Sequence, residues 1–314
     1  MRILILGGTR FIGVALTKLL VAQGHEVVLL NRGNNPPPVA GLRTIICDRT
    51  DPQALQAALA QESFDAIFDN NGRELRDTQP LVELFQGRIR HFVYVSSAGV
   101  YREAEVLPHF EGDAIDPNSR HRGKWETEMY LHKAYQEQGF PYTAIRPVYI
   151  YGPGNYNDVE AWFFDRISQG RPIPIPGDGK FITQLGHVAD LAAAMVAVLG
   201  NSRAIGEIYN ISDMRYVTYV GIAQACAAAM GKSPDSLQFV FYDPDRFDFG
   251  KRKAFPFRLQ HFFCSIDKAL NHLDWEPEYD LVSGLRTSYE QDYLRQDRSG
   301  VSFATDEMIL AAQG

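Results

Sequence analysis

The chain has 314 residues, 45% hydrophobic and 22% charged, with a formal net charge of −7. That balance belongs to an ordinary globular protein, either one large domain with a small lobe or two domains, and it excludes a disordered or fibrous chain. The acidic excess excludes a protein that coats nucleic acid by bulk charge, while a local basic patch stays compatible with it.

The first strand is expected at Arg2–Leu6. Its apolar run is too short for a signal-peptide core and leads into a glycine turn, so any transit segment is expected to be gone already. No apolar run approaches the ~18 residues of a membrane span, so a soluble chain without a membrane partner is expected. Strands follow at Val27–Leu30, Thr44–Cys47, Ala66–Asp69, His91–Ser96 and Tyr142–Arg146. Helical patterns separate them at Ile12–Gln23, Pro52–Gln61, Thr78–Phe85 and Lys124–Gln138. Near-continuous apolar strands alternating with helices predict a parallel sheet covered on both faces, the α/β doubly wound or Rossmann-type class.

Beyond Tyr151 the pattern loosens, and Pro153, Pro172, Pro174 and Pro176 mark loops. A helix resumes at Val188–Leu199, then a strand at Glu207–Ile211 and a helix at Val217–Met230. The stretch from Pro234 to Phe263 has no clear period, and helices close the pattern at Ser265–Leu273 and Leu281–Arg295. The expected organisation is a dinucleotide-binding domain over 1–152, completed by about 180–212, and a smaller mixed C-terminal lobe over 153–179 and 213–314. Cys47, Cys226 and Cys264 are widely spaced, which reads as buried small residues in a reducing compartment, cytoplasm or plastid stroma.

The first strand runs into Gly7-Gly8-Thr9-Arg10-Phe11-Ile12-Gly13 and then a helix. Backbone N–H groups and the positive end of the helix dipole make such a turn a phosphate site. Gly7 permits the tight turn, and Gly13 lets the helix pack close to the strand. Arg10 occupies the place of the middle glycine, where backbone normally meets pyrophosphate. Two readings stand: Arg10 turns outward and the site works unchanged, or it adds charge and narrows the site toward another anion. After strand two, Asn31 and Arg32 stand where an NAD site carries an acid, which suits a 2′-phosphate and predicts NADP over NAD. Asp48 is placed either to contact an adenine edge or as an ordinary loop acid.

Four stretches then make a resemblance specific: His91–Tyr101, Arg146–Pro153, His187–Leu191 and Ile208–Ile211, with Leu273-Asp274-Trp275-Glu276-Pro277 near the end. Over nearly its whole length the chain resembles an extended short-chain dehydrogenase/reductase, the superfamily of nucleotide-sugar epimerases and dehydratases. Within it the chain looks most like the chloroplast stem-loop-binding proteins of 41 kDa and their cyanobacterial relatives. The matching strings are Gly7–Gly13 with its arginine, Asn71–Glu74, Ser119–Lys124, Arg146–Asn157, Phe247–Phe263 and Thr305–Leu310. That resemblance implies a stem-loop RNA partner, a divalent-metal-dependent endoribonuclease activity with magnesium as the expected metal, self-association, and a cyanobacterial cytoplasm or plastid stroma.

In a working dehydrogenase of this kind a Ser and a Tyr polarise the substrate oxygen. A Lys four residues after the Tyr lies on the same helix face and holds the nicotinamide ribose. Ser97 matches the serine and Lys124 the lysine, but Arg120 stands in the tyrosine position. A guanidinium cannot give up a proton in the working range, so acid–base redox chemistry lacks its central group. Tyr101 and His121 are the available stand-ins. A second departure is Asn70-Asn71-Gly72-Arg73-Glu74, where an apolar-alanine turn would face the nicotinamide.

Arg120, His121, Arg122 and Lys124 form a basic cluster near this mouth, and Phe247–Arg258 interleaves Lys251, Arg252 and Lys253 with aromatics. Cations there would hold phosphates and rings would stack on unpaired bases, or else the rings are lobe core and the cations a solvated rim. No compact metal-ligand motif is visible, and His109, His187 and Asp190 read as loop or capping residues. Three functions remain open at this point: an RNA-binding protein on a repurposed scaffold, an NAD(P)-dependent sugar-nucleotide enzyme, or a binding protein without catalysis.

Overall fold

The computed structural model describes residues Met1–Ala312, which divide into two compact units. The first comprises Met1–Ile150, Val188–Ser212 and Cys264–Pro277. Its elements in chain order are β1 (Arg2–Leu6), α1 (Ile12–Ala22), β2 (Glu26–Asn31), β3 (Arg43–Ile46), α2 (Pro52–Leu59), β4 (Ala66–Asp69), α3 (Leu75–Phe85), β5 (His91–Val95), α4 (Arg122–Gln138) and β6 (Tyr142–Pro147). After β7 (Tyr149–Tyr151), the elements α5 (Glu160–Ser168), β8 (Ile173–Pro176), β9 (Ile182–Thr183) and β10 (Leu185–His187) come before the chain returns to the first unit with α6 (Val188–Ala197) and β11 (Glu207–Ile211).

Seven parallel strands form the sheet, in the order β11-β6-β5-β4-β1-β2-β3. The order reverses between β1 and β4, which is the topological switch point of a doubly wound sheet. One face of the sheet carries a core of Ile3, Ile5, Leu16, Leu20, Phe68, Val93 and Met195, formed with α1 and α6. The opposite face carries Leu4, Leu6, Leu55, Ile67, Leu81, Phe85, Tyr94 and Leu131, formed with α2, α3 and α4. Along β1, β2, β4 and β5 alternate residues serve alternate cores, so these strands read as continuous apolar runs, while the edge strand β3 is only partly buried.

Local chemistry explains the element ends. Asp51 caps α2 by accepting from the N–H groups of Gln53 and Ala54, with Pro52 at the first helical position. Helix α3 begins at Leu75, earlier than periodicity predicts, because Asp77 accepts from the N–H groups of Arg73 and Glu74. Gly139 ends α4 in the left-handed conformation at φ 68°.

Against the six strands expected in the first half, the strand Glu207–Ile211 joins the sheet as the seventh, beside β6. The segment Cys264–Pro277, expected in the smaller lobe, belongs to the first unit instead. Its helix buries Ile266, Ala269 and Leu273 in the α1/α6 core, and the Trp275 indole donates to the Asp190 carbonyl at 3.0 Å.

The second unit comprises Tyr151–His187, Asp213–Phe263 and Glu278–Gly314. It adds β12 (Val217–Thr218), α7 (Tyr219–Ala229), β13 (Phe239–Tyr242), α9 (Leu281–Gln291) and α10 (Ala304–Ala311), with α8 (Asp267–His272) lying in the first unit. The segment without a sequence period contains β13, which pairs in parallel with β8. Ion pairs stand among the apolar side chains of this unit: Arg166 and Asp306 form a buried pair at 2.6 Å, and half-buried Arg298 binds buried Asp165 at 2.5 Å.

Candidate functional site

The glycine turn leaves the end of β1 at the switch point, and its geometry accounts for its glycines. Gly7 lies at φ 82°, which a side chain would strain. A Cβ on Gly13 would fall 1.9 Å from the Gly7 carbonyl oxygen, and one on Gly8 would fall 2.6 Å from Leu29 Cδ2. Thr17 Oγ1 donates to the Gly8 carbonyl at 3.1 Å and fixes the turn from beneath. Phe11 is buried and takes φ 40°, a conformation uncommon for a residue with a Cβ. Phe11 at the N-cap has no side chain that can accept from the first N–H groups and no acid stands in the first turn of α1, so the helix presents its positive end toward an anion. Thr9 is half-buried, Ile12 likewise, and Arg10 is exposed.

At the end of β2, Asn31 Oδ1 accepts from Gly33 N–H at 2.7 Å, while its buried Nδ2 has no hydrogen-bond partner among the described residues. Arg32 is exposed. Asp48, also exposed, accepts from both the N–H and the hydroxyl of Thr50, and these bonds hold its carboxyl below the usual range with a smaller contribution from Arg32.

No motif or spacing in the sequence singles out the group that dominates the next turn. Arg49 is buried and reaches the end of β4, where its two terminal nitrogens bind the two Asp69 oxygens at 2.5 and 2.7 Å. The same guanidinium donates to Asn71 Oδ1 at 2.5 Å and to the Asp77 carbonyl at 2.6 Å. Asp69 also accepts from Thr78 Oγ1 and Gly72 N–H. Burial alone would raise the Asp69 pKa; the Arg49 charge, with the bonds from Arg49, Thr78 and Gly72, outweighs it and holds the carboxyl ionised below its ordinary value. An aspartate closing an otherwise apolar strand was the visible signal, but only the tertiary structure supplies its arginine.

Asn71 extends this cluster to the glycine turn: a Cβ on Gly7 would stand 3.1 Å from Asn71 Cβ and Cγ. On its far side the same turn meets α4, since a Cβ on Gly123 would fall 2.3 Å from Glu74 Oε2. Lys124 is part of that junction. Its ammonium donates to the Val95 carbonyl at 2.6 Å and the Gly72 carbonyl at 3.2 Å, and lies 5.4 Å from the centre of the Tyr94 ring. Burial lowers its pKa to about 8, against the opposing fields of Asp69 and Glu128.

Ser97 Oγ accepts from Gly99 N–H at 3.0 Å. A Cβ on Gly99 would stand 3.0 Å from that oxygen and 2.7 Å from His121 Nε2, so serine and imidazole flank one point. Arg120 Nε donates to His121 Nε2 at 3.0 Å. Of the two stand-ins for the missing tyrosine, Tyr101 is committed elsewhere. It is buried, donates to Asn210 Oδ1 at 2.7 Å, and accepts from Arg146, which pairs with Glu128. Burial pushes its hydroxyl pKa well up, leaving a structural phenol.

Arg122 is exposed and pairs with Glu126 at 2.7 Å. In the second unit Lys251, Arg252 and Lys253 are exposed, and Lys253 Nζ donates to the Pro256 carbonyl at 2.6 Å. The neighbouring rings are not: Phe255 and Phe257 are buried against Trp162, Phe163 and Tyr219. Phe247 and Phe249 stack on each other at 5.5 Å. Of the two readings of this segment, Phe255 and Phe257 follow the second and form lobe core, while the cations stay at the surface. Among the described residues no group of three or more His, Cys, Asp or Glu could hold a metal ion, so these side chains offer no ready-made cage for magnesium.

Residues 3–212 match the family described as NAD dependent epimerase/dehydratase. The chain is 49% identical to the chloroplast stem-loop binding protein of 41 kDa b of Arabidopsis thaliana, over 99% of this chain and 84% of that protein. It is 27% identical to the trifunctional UDP-glucose 4,6-dehydratase/UDP-4-keto-6-deoxy-D-glucose 3,5-epimerase/UDP-4-keto-L-rhamnose-reductase of the same plant, over 80% of this chain but only 38% of that protein. Among solved structures it is similar to the dTDP-glucose 4,6-dehydratase of Bacillus anthracis in complex with NAD, with a TM-score of 0.77, 20% identity, and coverage of 94% and 98% of the two chains.

Proposed function

The chain belongs to the NAD-dependent epimerase/dehydratase family, and from that premise we propose that it uses the family's scaffold to bind stem-loop RNA in place of transferring hydride. The observation that carries this reading is the start of α4. Arg120 takes the tyrosine position, and the Lys124 ammonium is bonded to two backbone carbonyls. Hydride transfer to or from a sugar carbon needs a group that gives and takes the hydroxyl proton, and a guanidinium does neither near neutral pH. Support for RNA comes from the relative named as a stem-loop binding protein and from the exposed cations Arg120, Arg122, Lys251, Arg252 and Lys253. With Phe255 and Phe257 in the core, affinity rests on phosphate contacts more than on base stacking. Strand cleavage with magnesium, self-association, and placement in a plastid or cyanobacterial cytoplasm are carried by the resemblance alone. Should the glycine turn take a dinucleotide, Arg32 favours NADP over NAD.

The test is a gel-shift titration of a stem-loop RNA at increasing salt, with wild type, Lys251→Ala/Arg252→Ala/Lys253→Ala and Arg120→Ala/Arg122→Ala. Removing one phosphate-binding cation flattens the dependence of log K on log salt by roughly 0.9 for duplex and 0.7 for single strand. The triple variant is expected to lower the slope by roughly 2–3. Wild-type slopes in both variants would overturn the proposed surface.

The glycine turn, with Gly7 and Gly13 in place, and Ser97 favour a second reading, a sugar-nucleotide epimerase. It is separated by incubating the chain with UDP-glucose and NAD or NADP. Epimerised product would reverse the choice.

A further inference from the structure

A dinucleotide on a doubly wound sheet straddles the switch point, with one half over the carboxyl ends of the strands on each side of it. Here the adenosine half falls over β1, β2 and β3, and the nicotinamide half over β4 and β5. The two halves of this site are built differently. On the first side the phosphate seat keeps its flanking glycines, Gly7 at φ 82° and a Gly13 position with no room for a Cβ, with Arg10 exposed at the middle position, no acid in the first turn of α1, and Arg32 exposed after β2.

On the second side the turn after β4 is pinned against its neighbours. Arg49 binds Asp69 through both oxygens and Asn71 through Oδ1. Asn71 sits on Gly7, and Glu74 sits on Gly123. The Gly72 carbonyl accepts from Tyr94 and from Lys124, so the lysine that would hold the second ribose is drawn into this turn. Arg49 is 8% exposed and Asp69 is fully buried. Breaking their pair to open the turn would strand a buried charge.

We propose that this site binds the adenosine half of a dinucleotide and gives the nicotinamide half no seat. The ligand class is an adenosine 5′-diphosphate, with a 2′-phosphate met by Arg32. Such a nucleotide is held as a bound effector or structural ligand, with no hydride transferred. The inference does not depend on the RNA reading, because it concerns a different set of residues and a different ligand.

The experiment is isothermal titration calorimetry of the purified full chain with 2′-phospho-ADP (2′-phosphoadenosine 5′-diphosphate), ADP, NADP and NAD in parallel. The expected result is that 2′-phospho-ADP and NADP bind within about threefold of each other, and that ADP binds about tenfold more weakly than 2′-phospho-ADP. Asn71→Ala releases the turn from Gly7 and Arg49, and in this variant NADP is expected to gain on 2′-phospho-ADP. NADP binding at least about tenfold tighter than 2′-phospho-ADP in the wild type would overturn the inference, because the nicotinamide half would then contribute. Absence of binding by all four nucleotides would also overturn it, whatever the RNA titration shows.

Discussion

Replacing Lys124 by Met separates a lysine that serves the fold from one that serves a cofactor. In the folded chain burial lowers the ammonium pKa from 10.5 to about 8. At about 1.36 kcal/mol per pH unit, keeping that proton in the folded state costs about 3 kcal/mol at neutral pH. Lys124→Met removes that cost but leaves the Val95 carbonyl without its 2.6 Å donor, a loss of roughly 1–2 kcal/mol. The Gly72 carbonyl keeps its bond from Tyr94. The variant is therefore expected to be more stable than wild type by roughly 1–2 kcal/mol at pH 7. The sign reverses with pH. Between the folded value of about 8 and the unfolded value of 10.5 the unfolded chain holds a proton that the folded chain has released, so wild-type stability rises across that window. The variant lacks this rise and should fall below wild type at its upper end. Urea unfolding followed by circular dichroism in steps from pH 7 to 10.5 measures the difference, and groups common to both proteins cancel in it. Parallel profiles for the two chains would refute the reasoning.

Glu160 in the second unit is almost fully buried, and burial lifts its pKa from 4.5 to about 7 despite bonds from Gly152 N–H and Asn155. The folded state therefore binds its proton more tightly, and wild-type stability should fall by about 3 kcal/mol as pH rises through that window; Glu160→Gln should flatten this fall in a series of denaturant titrations. Arg49→Ala strands Asp69 and is expected to destabilise by about 3–5 kcal/mol, whereas Arg49→Met with Asp69→Asn should lose less, as read from chemical denaturation midpoints. Equal losses in the two would show that the pair's charge is not what holds the turn. Gly13→Ala drives a methyl into the Gly7 carbonyl and should cost roughly 1–3 kcal/mol together with nucleotide affinity, while Gly112→Ala, which meets nothing within 4 Å, should match wild type in melting temperature and calorimetry.

Much of this protein can be read from residues in a row. Period and composition locate β1 through β6 and the helices between them, and most plainly the inner strands, because a strand buried on both faces must be apolar along its whole length. The glycine turn is legible for the same local reason: Gly7 needs its φ and Gly13 needs its missing Cβ, and both requirements act between near neighbours in the chain. The arginine in the tyrosine position is likewise plain from the sequence.

Contacts between distant segments decided the rest. Periodicity could not show that the Asp69 carboxylate meets an arginine twenty residues earlier, or that Lys124 points back to carbonyls at Gly72 and Val95. Nor could it show which aromatics of Phe247–Arg258 are core, since Phe255 and Phe257 are buried against the distant Trp162, Phe163 and Tyr219. Likewise Cys264–Pro277 joins the first unit because Trp275 finds the carbonyl of Asp190. A local pattern fixes the path of the backbone, but the state of a charge depends on which partner packing brings to it, and in this chain that partner is remote.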